Sequence, residues 1–119
     1  MPNPFGAPEI SVQEVNQRLQ NGDEFVWVDV REPHELQVAY IEDKRIVELP
    51  MSLLAAQQLD AIPEELADKE AAVIVFCHKG VRSAQVTMWL RQQGWANVLN
   101  MEGGIDAWAQ EIDESVGMY

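Results

Sequence analysis

The sequence predicts an α/β fold with a mostly parallel sheet of about five strands and helices on both faces. Three observations lead there. Short runs of β-branched and aromatic residues alternate along the chain with stretches of helical pattern. The runs "FVWVDV" (25–30) and "AAVIVF" (71–76) lack the polar alternation of a half-exposed strand, so they suit positions covered on both faces. The connections between runs are too short to hold another domain, which favours crossover helices and a parallel sheet. At 119 residues the chain fits one domain, with a core at about 9–112 and short tails at either end.

Taken in order, "SVQEVNQRLQNG" (11–22) predicts a short helix: Ser11 is its N-cap, Glu14 stands at capping-box spacing, and Asn21 and Gly22 stop it. "FVWVDV" is a central strand. "REPHEL" turns, with Pro33 suited to the first position of a brief helix, and "RIVEL" before Pro50 is a short strand. Ser52 can cap "LLAAQQLDAI" and Pro63 can open "PEELAD", so this stretch reads as one interrupted helix or two short ones. "AAVIVF" is the clearest strand. "RSAQVTMWLRQQ" follows as a helix of about three turns closed by Gly94. "ANVLNM" is a last strand and "GGIDAWAQEI" a last helix before a polar tail.

Composition narrows the function. Eight basic against twenty acidic side chains give a net charge of -12, which disfavours nucleic acid and anionic membrane surfaces as partners. The longest apolar run, Ala71 to Cys77, falls far short of the roughly 20 residues a membrane-spanning helix needs. The opening "MPNPFGAPEI" has neither the basic nor the apolar region of a secretory signal, so a cytoplasmic location is expected. Cys77 is the only cysteine, which leaves no internal disulfide: the thiol is either core filler or a reagent. No clustered His or Cys spacing supports a metal site, and no cofactor is implied.

The stretch "VIVFCHKGVRS" (73–83) places that thiol between a buried strand and a cationic, glycine-containing loop. A thiol is nucleophilic as thiolate, a form favoured beside cations and at helix N-termini. The backbone amides of His78 through Ser83, passing from strand to helix, could curl around the sulfur as an anion-holding nest. Gly80 suits a backbone angle that a tight cradle demands. Arg82, and to a lesser degree Lys79 and His78, would add positive charge.

"CHKGVRS" resembles the active-site loop of the rhodanese family of sulfurtransferases. "VDVREPHEL" resembles the family's segment after an early strand, and "NVLNMEGGIDAW" its closing strand, glycine pair and helix. The three stretches stand in family order and span most of the chain from Phe25 to Trp108. The resemblance implies a single rhodanese-like domain and a thiosulfate sulfurtransferase (rhodanese) type of enzyme. In it Cys77 would take sulfane sulfur from a donor such as thiosulfate, carry it as a persulfide and pass it to a thiophilic acceptor. It also implies that the loop His78, Lys79, Gly80, Val81, Arg82 and Ser83 binds the substrate and that Arg82 and the amides hold the persulfide anion. Asp29 and Arg31 would lie at the rim and order the loop. Acceptors would be cyanide, a small thiol, thioredoxin or a sulfur-carrier protein. The segment "AYIEDKRIVELP" departs from the family's usual "GHIPGA", which leaves Ala39 to Leu49 undefined in shape.

Other readings stay open. Phosphatases and arsenate reductases of similar shape place one residue more between cysteine and arginine than the four found here, His78 to Val81, so sulfur transfer is preferred to phosphate ester hydrolysis. A non-enzymatic rhodanese-like module that recruits a partner through its acidic surface is the rival from another class. Residue by residue, His78 reads as an exposed loop residue in a supporting role, His34 as a surface residue, and Arg31 with Asp29 equally as a strand-end ion pair. Gly103 and Gly104 read as a tight turn, and the four tryptophans as core, with Trp108 facing the sheet.

Overall fold

The computed structural model describes residues 3–119. Its strands are β1 (Glu9–Ile10), β2 (Val26–Asp29), β3 (Ile46–Glu48), β4 (Val73–Phe76) and β5 (Val98–Met101); its helices are α1 (Val12–Asn21), α2 (Pro33–Leu36), α3 (Met51–Gln57), α4 (Val81–Gln92) and α5 (Gly104–Glu111). The five strands form one sheet in the order β1-β5-β4-β2-β3, and every adjacent pair is parallel. This is the α/β architecture the sequence predicts.

The apolar runs explain why β2 and β4 lie inside. Successive strand side chains point to opposite faces. Trp27, Ile74 and Phe76 therefore join Val12 and Val15 of α1 and Ile105 and Trp108 of α5 in one core, where Trp27 and Trp108 meet edge to face at 5.2 Å. Val28, Val73, Val75 and Cys77 face Leu54 of α3 and Val86 and Leu90 of α4 in the other. Three of the four tryptophans, Trp27, Trp95 and Trp108, are buried; Trp89 is only partly so, packed at the edge of the second core.

Helix boundaries largely follow their signals. Ser11 Oγ accepts the Glu14 amide at 3.1 Å, and Gly22 and Gly94 end α1 and α4 in the left-handed region. Pro33 opens α2, capped by a reciprocal box between Glu32 and Glu35. Two expectations need correcting. Ser52 does not cap α3: Pro50 holds that position, and the Ser52 amide and hydroxyl donate to Glu32 instead, at 3.1 and 2.5 Å. "PEELAD" makes only a 3-10 turn, Glu64–Leu66. β1, two residues long and hydrogen-bonded along β5, is too short to leave a periodic signal. The polar tail makes a 3-10 turn at Glu114–Val116, and the Val116 carbonyl accepts the Tyr40 amide at 3.0 Å.

The sheet order places the site. From β2 the chain moves outward to β3, and from β4 it moves outward the other way to β5, so the crevice between β2 and β4 opens at their carboxyl ends. There Asp29 is in register with Phe76, and the loops carrying Arg31 and Cys77 run side by side.

Candidate functional site

Cys77 follows β4 directly and is 1% exposed. Gly80, at φ +97°, turns the chain into α4 and aims its amide at Cys77 Sγ, 3.2 Å away. The Ser83 amide lies 3.4 Å from the same sulfur and the Ser83 hydroxyl 3.3 Å. Three donors from the loop and the first turn of α4 thus converge on one sulfur atom. The Ser83 hydroxyl also sits 2.5 Å from Asn100 Oδ1 on β5, and it has one hydrogen for two neighbours. With a thiol, that hydrogen goes to Asn100 and Sγ–H can donate to Oγ; with a sulfur anion, it can rotate to Sγ. Asn100 Nδ2 in turn donates to the Gly80 carbonyl at 3.0 Å and to Glu9 at 3.0 Å, which braces the loop against β5.

A second clamp comes from α5. The Ile105 amide donates to the Cys77 carbonyl at 2.9 Å and the Asp106 amide to the His78 carbonyl at 3.0 Å. Gly103 and Gly104, at φ +78° and +60°, form the tight turn the sequence predicts, and it presses straight against the Cys77 loop.

Asp29, Arg31 and His78 are arranged differently from expectation. Asp29 and Arg31 do not lie at the rim: they are 2% and 1% exposed and form a buried ion pair with Arg31 Nη2 3.0 Å from Asp29 Oδ2. Arg31 Nη1 also donates to the Ala39 carbonyl at 2.8 Å and to the Tyr119 hydroxyl at 3.2 Å. Burial alone would lower the Arg31 pKa, but the Asp29 and Tyr119 contacts outweigh it and hold it raised. His78 is not an exposed loop residue. It is half-buried and stacks on Tyr119, ring centroids 3.7 Å apart and planes 8° from parallel, with no hydrogen-bond partner at Nε2. Lys79 and Val81 are exposed, as is His34.

Arg82 is held by Glu35, a residue the sequence reading passed over. Its Nη1 and Nη2 donate to Glu35 Oε2 and Oε1 at 2.7 and 2.8 Å, and the Tyr119 hydroxyl donates to Oε1 at 2.8 Å. The Arg82 contact is the main reason the Glu35 carboxyl is lowered from 4.5 to about 2, and Glu35 in return raises Arg82. Glu35 at the third position of α2 was legible as a capping-box partner, and Asn100 as a polar residue inside "VLNM"; Tyr119 left no signal.

The Glu35 shift sets a pH dependence. Because its folded-state pKa is depressed, the pair stabilises the fold fully above about pH 4.5, and this contribution is lost as pH falls toward 2. Thermal melts should therefore show wild type above Glu35→Gln at pH 7, with the gap narrowing between pH 4.5 and 2. A gap that stays constant or widens over that window would refute the assignment.

Comparison with known proteins shows the family. The family model described as "Rhodanese-like domain" matches residues 11–111. The chain belongs to the rhodanese-like domain family. Within it, a protein named sulfurtransferase from Allochromatium vinosum is 37% identical over 86% of this chain and 88% of its own length. The rhodanese-like/PpiC domain-containing protein 12 of Arabidopsis thaliana is 32% identical over 93% of this chain, which spans only 37% of that longer protein. Among solved structures, the human single-domain sulfurtransferase TSTD1 superposes with a TM-score of 0.72 at 26% identity, covering 89% of this chain and 98% of that one. Among the described residues, this rhodanese-like domain has no helix long and apolar enough to cross a membrane and no cluster of His, Cys, Asp or Glu that could hold a metal ion.

Proposed function

We propose that this rhodanese-like domain is a sulfurtransferase that carries sulfane sulfur on Cys77 as a persulfide. Relatives named sulfurtransferase support the enzyme class. The observation that carries the reading to Cys77 is the convergence of the Gly80 amide, the Ser83 amide and the Ser83 hydroxyl on its Sγ. Preorganised donors around a buried atom favour negative charge there without reorganisation. In the first half-reaction the Cys77 thiolate attacks the outer sulfur of thiosulfate, the simplest donor. The Cys–S–S bond forms, the donor S–S bond breaks, and sulfite leaves with the bonding pair. In the second, cyanide or a thiolate attacks the terminal sulfur, taking it as thiocyanate or as a new persulfide and returning Cys77 as thiolate. With no second cysteine in the chain, discharge falls to an outside acceptor: a small thiol, thioredoxin or a sulfur-carrier protein. A reducing, cytoplasmic setting suits a single unpaired thiol.

Intact mass spectrometry after incubation with thiosulfate tests this. One added sulfur atom is expected on wild type and none on Cys77→Ser; no gain with thiosulfate or another sulfane donor, or a gain that survives Cys77→Ser, refutes the reading. Cyanide should then remove the added mass.

A further inference from the structure

The charges around the Cys77 loop are arranged poorly for a doubly charged donor. Arg82 is the guanidinium nearest in sequence to the thiol, yet each of its terminal nitrogens donates to Glu35, one to each carboxylate oxygen, so that carboxylate offsets its charge. Arg31 is likewise committed to Asp29 and buried with it. Lys79 is exposed, where water screens its charge. Acidic groups approach the same loop from two elements. Glu35 holds Arg82 from α2, and Glu9 of β1 meets Asn100 beneath the Gly80 carbonyl. The whole chain carries a net charge of -12. The donors that do reach Sγ are two amides and one hydroxyl, neutral groups suited to a single negative charge on sulfur.

We propose that Glu35 is a specificity-determining residue: by holding Arg82 through two hydrogen bonds it selects singly charged sulfane donors, alkyl persulfides and thiosulfonates, against dianionic thiosulfate. The inference rests on the sulfur-transfer reading of Cys77. A thiosulfonate reacts in balance with that reading: the Cys77 thiolate bonds to its outer sulfur, the donor S–S bond breaks, and a sulfinate leaves with the electron pair. An alkyl persulfide releases a thiolate in the same way. Neither leaving group carries the second negative charge of sulfite, so neither needs a free guanidinium.

The test is steady-state transfer to cyanide from thiosulfate and from benzenethiosulfonate, in wild type, Glu35→Gln and the double variant Glu35→Gln/Arg82→Gln. Removing the Glu35 charge frees the Arg82 field for the dianion. Glu35→Gln should raise kcat/KM for thiosulfate by about tenfold, chiefly through a lower KM, and that for benzenethiosulfonate by less than about threefold. The double variant should lose the gain. Glu35→Ala, which likewise removes the charge, should move the donor ratio the same way and serves if Glu35→Gln does not fold. Transfer with an unchanged ratio of the two donors, or equal changes for both, overturns this inference alone. No transfer from either donor in any variant overturns the sulfur-transfer reading and this inference with it.

Discussion

Gly104→Ala is expected to destabilise the domain by about 3 kcal/mol or more, lowering Tm by roughly 10 °C. Two effects add. At φ +60° an alanine pays the left-handed backbone cost of about 1–2 kcal/mol. Its Cβ would also overlap the carbonyl oxygens of Cys77 and His78, the latter at 2.5 Å, and the His78 carbonyl carbon at 2.7 Å. These are backbone atoms, already fixed by the Ile105 and Asp106 amides, so no side chain can swing away to make room. Gly22→Ala is the control: its φ is +75° but a Cβ there meets nothing within 4 Å, so it should cost only the backbone part. Calorimetric melts of the two variants check the argument. Equal losses in both would show that the close approach of α5 to the Cys77 loop contributes nothing. The same substitution should slow sulfur loading, because the overlap pushes the Cys77 backbone away from the Gly80 and Ser83 donors.

Arg31→Met should cost about 3–5 kcal/mol, the range for breaking a buried ion pair from one side. Arg31 is 1% exposed, and its loss leaves the Asp29 carboxylate buried with the Arg31 amide as its remaining donor, 3.0 Å away. The Ala39 carbonyl and the Tyr119 hydroxyl each lose the same guanidinium. Asp29→Asn/Arg31→Met removes the stranded charge and should recover part of the loss, as replacement of a whole buried pair does elsewhere. Urea unfolding of both variants measures this directly. A loss below about 1 kcal/mol for the single variant, or a double variant no better than the single, would show that the pair does not behave as a desolvated one.

Most of the fold was legible because its signals are local. β2 and β4 announced themselves as unbroken apolar runs, and the observed sheet shows why: each is flanked by a strand on both edges and by helices on both faces. Ser11, Gly22, Pro33 and Gly94 marked helix ends because capping is decided within a few residues. The Cys77 loop was legible for the same reason, since the Gly80 and Ser83 donors lie three and six residues from the sulfur they face.

By itself, then, the sequence determined the α/β class, the position of the thiol between strand and helix, and the family to which the chain belongs. What only the tertiary structure decided is the electrostatic setting of that thiol. Asn100 meets Ser83 across 17 residues, Glu35 meets Arg82 across 47, and Tyr119 meets Glu35 across 84. The partner of a charged side chain depends on which elements the sheet order brings together, and no periodicity or cap encodes that. Arg82 therefore reads in the sequence as a cation free to hold an anion, and in the folded chain as one half of an ion pair.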